Sequence, residues 1–190
     1  MKNKIIARIN DSISVKQSLA ADQEQLQQIE AAVTAIIKTY KKNGKILIFG
    51  NGGSAADSQH FAAEFVGRFL KERRALPAIA LTANSSTLTA LANDYTYEYV
   101  FERQIEAFGQ KGDIAIGIST SGGAKNVIAG LKQAKKMGLI CIGLTGQKGV
   151  NLKEHTDICL FAPSKETPRI QEAHIVIIHI ICDLVEEALA

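Results

Sequence analysis

His60 and Glu64 stand four residues apart in a helical stretch, so both side chains leave the same face. Imidazole and carboxylate both bind zinc, and a carboxylate beside an imidazole can also move protons. Taken alone, this spacing is more often a surface polar contact. Its position gives it chemical meaning, because the stretch follows a glycine-rich loop. Glu64 also sits among Phe61, Ala62, Ala63, Phe65 and Val66, an apolar setting expected to raise a carboxyl pKa toward working pH. A further imidazole, His179, interrupts the apolar run from Ile175 to Cys182. A lone histidine in such a run is usually a satisfied core residue. His174 lies five residues earlier, about 140° round a helix, and is expected to face elsewhere.

Two loops are built to approach a ligand. The first, Gly50-Asn51-Gly52-Gly53-Ser54-Ala55-Ala56-Asp57, leads from an apolar strand into a helix. Its glycines let the backbone come close, and the helix start offers unpaired N–H groups to an anion. Gly50, Gly52 and Ala55 also fit a loose dinucleotide fingerprint. That reading expects an acid at the tip of the next strand, where Ala83-Asn84-Ser85-Ser86 carries none. A purely structural turn is the other reading. The second loop is Ser119-Thr120-Ser121-Gly122-Gly123-Ala124-Lys125-Asn126. Three consecutive hydroxyls before a helix suit a phosphate monoester, whereas N-capping needs only one. The Walker pattern of nucleoside triphosphate sites is absent.

These residues need a scaffold. Apolar runs at 45–50, 78–82, 113–119, 139–145 and 157–162 alternate with helical stretches near 54–70, 86–108, 123–137 and 168–189. That alternation predicts an α/β fold with a five-stranded parallel sheet between helical layers. Residues 1–43 read as additional helices packed on the core at 44–190, all within one domain. Ligand sites of such sheets lie at the carboxyl ends of strands, where both loops fall.

Composition narrows the function classes. With 190 residues, 46% hydrophobic and 22% charged, the chain can build a real core. The net charge of +3 is dispersed, and its densest run, Lys71-Glu72-Arg73-Arg74, reads as a solvated helix end, not a nucleic-acid patch. The absence of Trp leaves little for stacking on bases. Cys141, Cys159 and Cys182 sit singly in apolar runs and read as buried thiols in a reducing compartment. No run approaches the ~20 apolar residues of a membrane span. A cytoplasmic protein without nucleic-acid or membrane partners is expected.

The strand followed by GNGGSA, the LPAIAL segment and the STSG loop resemble the sugar-isomerase (SIS) fold. More closely, GNGGSAADSQHFAAEFVGRF, ALANDY, VFERQ, GISTSG and TPRIQEAHIVIIH resemble the phosphoheptose isomerases, from about Gln23 to the carboxyl end. The resemblance implies conversion of sedoheptulose 7-phosphate to D-glycero-D-manno-heptose 7-phosphate, the entry to bacterial heptose. It implies one zinc per subunit at His60, Glu64, Gln171 and His179, with Glu64 and His179 as the acid–base pair. It further implies substrate contacts from Asn51, Gly52, Gly53, Ser54, Glu64, Asn93, Asp94, Ser119, Thr120, Ser121 and Gln171, and a homotetramer.

The chain departs from the family pattern at two points. Ala124 replaces a hydroxyl in the second loop, and Asn84 stands where an acid often precedes the Asn-Asp pair. A non-catalytic SIS protein that binds a replication initiator is the rival reading. Such relatives lack a carboxylate and an imidazole at the positions of Glu64 and His179, and this chain has both. An SIS isomerase for another, shorter sugar phosphate is a third reading, disfavoured by the RIQEAH segment.

Overall fold

The computed structural model describes residues 1–190. Five parallel strands, β1 Ile46–Gly50, β2 Ala78–Ala80, β3 Ile114–Ser119, β4 Ile140–Gly146 and β5 Ile158–Ala162, pair in the order β2-β1-β3-β4-β5. From β1 the chain turns first to one side and then back to the other. Between β1 and β3 the order therefore reverses, and successive connections leave the sheet on opposite faces. Gly50 pairs with Ile118, so the carboxyl ends of β1 and β3 lie side by side.

Alternating side chains feed two cores. Ile46, Ile48, Ile114, Ile116, Ile118, Ile142 and Leu144 meet helices α2 Gln23–Lys41, α3 Gly53–Val66 and α8 Thr167–Leu189. On the other face Leu47, Phe49, Ala115 and Cys141 meet α5 Glu102–Phe108 and α6 Lys125–Lys136. The five-stranded parallel sheet flanked by helices is the fold the sequence predicts. The three thiols are free and buried, and burial pushes Cys141 up to about 12 and Cys159 up to about 11.

Several boundaries differ from expectation. The stretch 86–108 is not one helix: α4 Ser85–Asp94 stops, a 3-10 turn spans Tyr97–Tyr99, and α5 follows. Tyr95, Thr96 and Tyr97 are poor helix formers, and the break turns Val100 and Phe101 into the core. The short helix α7 Val150–Lys153 also lies in a segment read as irregular.

The run Lys71–Arg74 is not a solvated helix end. Helix α3 stops at Val66, and Arg73 folds inward until its side chain is 1% exposed, 3.2 Å from the equally buried Glu186 of α8. Its guanidinium donates to the Glu64, Phe65, Gly67 and Arg74 carbonyls. Glu186 accepts from the amides of Phe69, Leu70 and Lys71. Sequence reads a basic cluster as solvated because buried partners lie far away in the chain.

α8 buries Ile170, Ala173, His174, Ile177, Ile178, Ile181, Cys182 and Val185. Its opposite side is not covered within one chain: Ile180 and Leu184 are 38% and 41% exposed. Helix α1 Lys2–Ala21 buries only Leu19, leaving Ile5, Ile6, Ile9 and Ile13 in the open.

Burial alone pushes the Glu186 carboxyl up, but three amides and Arg73 outweigh it and hold the group below its ordinary value. A carboxyl depressed on folding stabilises above its unfolded pKa of about 4.3 and loses that contribution as pH falls through the folded value. Glu186→Gln should destabilise by about 3–5 kcal/mol at neutral pH, the range for breaking a buried pair. Melting curves of both proteins should converge below about pH 4.

Candidate active site

The first loop is a tight turn from β1 into α3. Gly52 takes φ 56°, which a side chain would strain, and Gly53 opens the helix. A Cβ at Gly53 would run into the Gln171 amide, so this glycine admits α8 to the loop. The second loop leaves β3 at Ser119 and enters α6 with Ala124 as N-cap. Two helix starts thus converge on one cavity of about 360 Å³, lined by Asn51–Ser54, Ile118–Ser121, Ala124, Thr167 and Gln171. No basic side chain is among them. An anion there would rest on backbone N–H groups, hydroxyls and two helix dipoles. A larger groove of about 630 Å³ runs along α2, but no helix start or catalytic pair opens into it.

Asn51 faces its neighbours. Its Nδ2 donates to Asn126 Oδ1 at 2.8 Å, while its Oδ1 accepts from Asn126 Nδ2 at 2.9 Å and from the Tyr97 hydroxyl at 3.2 Å. This mutual amide pair ties the two loops together. Neither Asn126 nor Tyr97 stands out in the sequence. An asparagine at a helix start reads as local capping, and only the β1–β3 pairing brings Asn51 opposite it.

The residues expected to do acid–base work lie further along the same helices. His60 Nε2 is 2.9 Å from Glu64 Oε1, as the four-residue spacing anticipates. His179 Nε2 lies 3.3 Å from His60 Nε2 across the α3–α8 contact. Glu64 is half-buried with its carboxylate turned to His60, so its setting is less apolar than its sequence neighbours suggest. Asp57, one turn before His60, is a further carboxyl here: burial pushes it up and His60 pulls it down. His174 does face elsewhere. It is wholly buried against Thr145 O at 3.2 Å, and burial, partly countered by that bond, lowers it to about 4.

Not every expected residue joins the cavity. Asn93 and Asp94 are exposed at the end of α4, where Asn93 Nδ2 donates to Asp94 Oδ1 at 2.9 Å. Within one chain they do not line it. Nor do His60, Glu64 and His179, which form a separate cluster connected to the cavity through α3 and α8.

The donor chemistry of that cluster suits zinc. Two imidazole Nε2 atoms 3.3 Å apart match the edge of about 3.3 Å between ligands on a tetrahedral ion with ~2.0–2.1 Å bonds. The carboxylate of Glu64 supplies a third donor. No three His, Cys, Asp or Glu side chains yet close on one point, and Gln171 lies against Gly53.

Residues 12–146 match the SIS domain family. The chain is 52% identical to the phosphoheptose isomerase of Clostridium acetobutylicum, covering 100% of this chain and 96% of that protein. It is 53% identical to the phosphoheptose isomerase of Aneurinibacillus thermoaerophilus, again over 100% of this chain and 96% of the relative. The chain belongs to the phosphoheptose isomerase family. The solved structure of phosphoheptose isomerase from Neisseria gonorrhoeae superposes with a TM-score of 0.92 at 39% identity, covering 98% of each chain. As a member of this family the protein is a sugar-phosphate isomerase.

Ala124 is both a cavity residue and an N-cap without a side-chain hydrogen bond. Ala124→Ser should therefore raise stability by about 0.5–2 kcal/mol through capping. It should also lower KM for a phosphorylated substrate by the worth of one hydrogen bond, about 0.5–1.5 kcal/mol. Melting curves and steady-state kinetics on the same sample measure the two effects. An unchanged KM with a raised melting temperature would confine the hydroxyl to capping.

Proposed function

We propose that the protein interconverts sedoheptulose 7-phosphate and D-glycero-D-manno-heptose 7-phosphate through an enediol. The observation that carries this reading is the arrangement of two sites along one pair of helices. A hydroxyl- and amide-lined anion cavity lies at the start of α3, and the His60–Glu64–His179 cluster lies two to three turns on. Gly53 to His60 spans roughly 10 Å of helix. A seven-carbon phosphate in extended form suits that separation, with its phosphate in the cavity and C1–C2 at the cluster. Shorter sugar phosphates would leave one end unfilled.

Glu64 acts as base, taking the proton from C1 of the ketose and returning it to C2. His179 protonates the C2 oxygen as the enediol forms, then takes the C1 hydroxyl proton as C2 is protonated and C1 becomes the aldehyde, so that both groups end as they began. Asn51 to Ser54, Ser119 to Ser121 and Gln171 bind the phosphate and the chain of hydroxyls. Asn93 and Asp94 join them across a subunit junction. One zinc ion per subunit, held by His60, Glu64, Gln171 and His179, would polarise substrate oxygens. The retained carboxylate and imidazole favour catalysis over the rival role of an initiator-binding protein.

The single SIS domain would assemble as a homotetramer in the cytoplasm. The uncovered stripes of α1 and α8, Ile5, Ile9, Ile13, Ile180 and Leu184, support association. No helix is long and apolar enough to cross a membrane. Sedimentation should find a species several times 20.5 kDa. A stable monomer at working concentration would overturn the assembly.

The decisive assay is turnover of sedoheptulose 7-phosphate by purified protein, with and without chelator. Glu64→Gln and His179→Gln should each lower kcat at least about a hundredfold while remaining folded oligomers. His174→Gln should cost stability more than turnover, since that imidazole faces Thr145. Full activity after verified zinc removal would make the metal incidental. The reaction assignment is falsified if wild-type protein shows no turnover or Glu64→Gln keeps most of it.

A further inference from the structure

A buried arginine needs a reason, because taking a guanidinium from water costs several kcal/mol even when it is paired. Arg73 is 1% exposed, in the segment that joins α3 to β2. Its Nη2 donates to Glu64 O at 2.7 Å, and its Nη1 donates to Phe65 O at 2.9 Å and to the Gly67 and Arg74 carbonyls at 3.0 Å. These include carbonyls at the end of α3, which have no partner within the helix. The Nε atom is 3.2 Å from Glu186 Oε1 but off the hydrogen-bond direction, so that contact is an ion pair.

Glu186 completes the structure from α8. Its carboxylate accepts from Phe69 N at 2.8 Å, from Lys71 N at 2.7 Å and from Leu70 N. The residue so held, Phe69, lays its ring against the His179 ring, 5.5 Å from centroid to centroid. His179 in turn is 5.1 Å, centroid to centroid, from His60. One end of the arginine therefore holds the backbone of Glu64. The segment pinned by its ionic partner carries the aromatic ring that supports His179.

We propose that Arg73, Glu186 and Phe69 form a positioning clamp that fixes the Glu64 carboxylate and the His179 imidazole relative to each other. None of the three touches the cavity or supplies a proton; they act through Glu64 and His179. Proton transfer is sensitive to small displacements, and a misplacement of about 1 Å can cost a hundredfold in rate. A clamp that bonds backbone carbonyls holds a helix end independently of what the side chains bind. This explains why a guanidinium with several forked donors stands there, where a lysine could not reach as many carbonyls. The proposal rests on the reading of Glu64 and His179 as the reacting pair.

The test uses the full chain with sedoheptulose 7-phosphate. Phe69→Ala should lower kcat about tenfold or more, with KM changed less than about threefold and the oligomer intact. Phe69→Leu, which restores apolar bulk, should recover most of the loss. Arg73→Gln should lower kcat in the same way, whereas Arg74→Gln, at an exposed neighbour, should not. If Arg73→Gln fails to fold, the two Phe69 variants decide the matter. A folded Phe69→Ala with wild-type kcat, or with only KM raised, overturns the clamp. If wild-type protein proves inactive on this substrate, the isomerase reading fails and a crystal structure of Phe69→Ala judges the clamp. Loss of the 3.3 Å His60–His179 approach supports it, and an unchanged approach overturns it.

Discussion

The reversal of strand order between β1 and β3 is the constraint on which the site depends. Parallel strands demand crossover connections, and from β1 these run first to β2 and then back past β1 to β3. The loops after the two strands then part to opposite faces, leaving a crevice lined in part by Ile118 and Ser119 of β3. The starts of α3 and α6 both open into that crevice. The Asn51–Asn126 amide pair bridges it at its base, so the two loops are spaced by a hydrogen-bonded strut.

The electrostatics follow from this geometry. The cavity gathers no lysine or arginine, and an anion is met by dipoles and hydroxyls instead. A fixed backbone cradle loses little conformational freedom on binding, unlike a long cationic side chain. A fully buried ion pair stands instead at the α3–α8 junction. There the Arg73–Glu186 pair is buried and bonded to backbone on both sides, which is the condition under which a buried ion pair is tolerated. The His60–Glu64–His179 cluster sits between this anchored end and the cavity.

Packing also explains what remains open. α8 must be apolar on the side facing the sheet, and its uncovered side still carries Ile180 and Leu184, while α1 leaves Ile5, Ile6, Ile9 and Ile13 open. A monomer burying only one side of such a helix leaves apolar surface in water at a cost of about 25 cal/mol per Å². The helix that carries Gln171 and His179 thus also carries uncovered apolar surface at Ile180 and Leu184.

Much of this was legible in the chain itself. Short, near-continuous apolar runs between helical stretches point to a parallel α/β sheet, because each run must be covered on both faces. The glycine- and hydroxyl-rich loops mark the two walls of the cavity, since their local chemistry needs no distant partner to be read. The four-residue spacing of His60 and Glu64 guarantees their contact once the helix forms. What the chain could not reveal was every contact made across long separations. Arg73 looked solvated because Glu186 is more than a hundred residues away, and Asn126 had no assigned role because its partner Asn51 is seventy-five residues away. His179 looked like core until α3 and α8 crossed and set it against His60. Local patterns decide which elements form; only the packing of α3, α6 and α8 around the β1–β3 crevice decides which side chains meet.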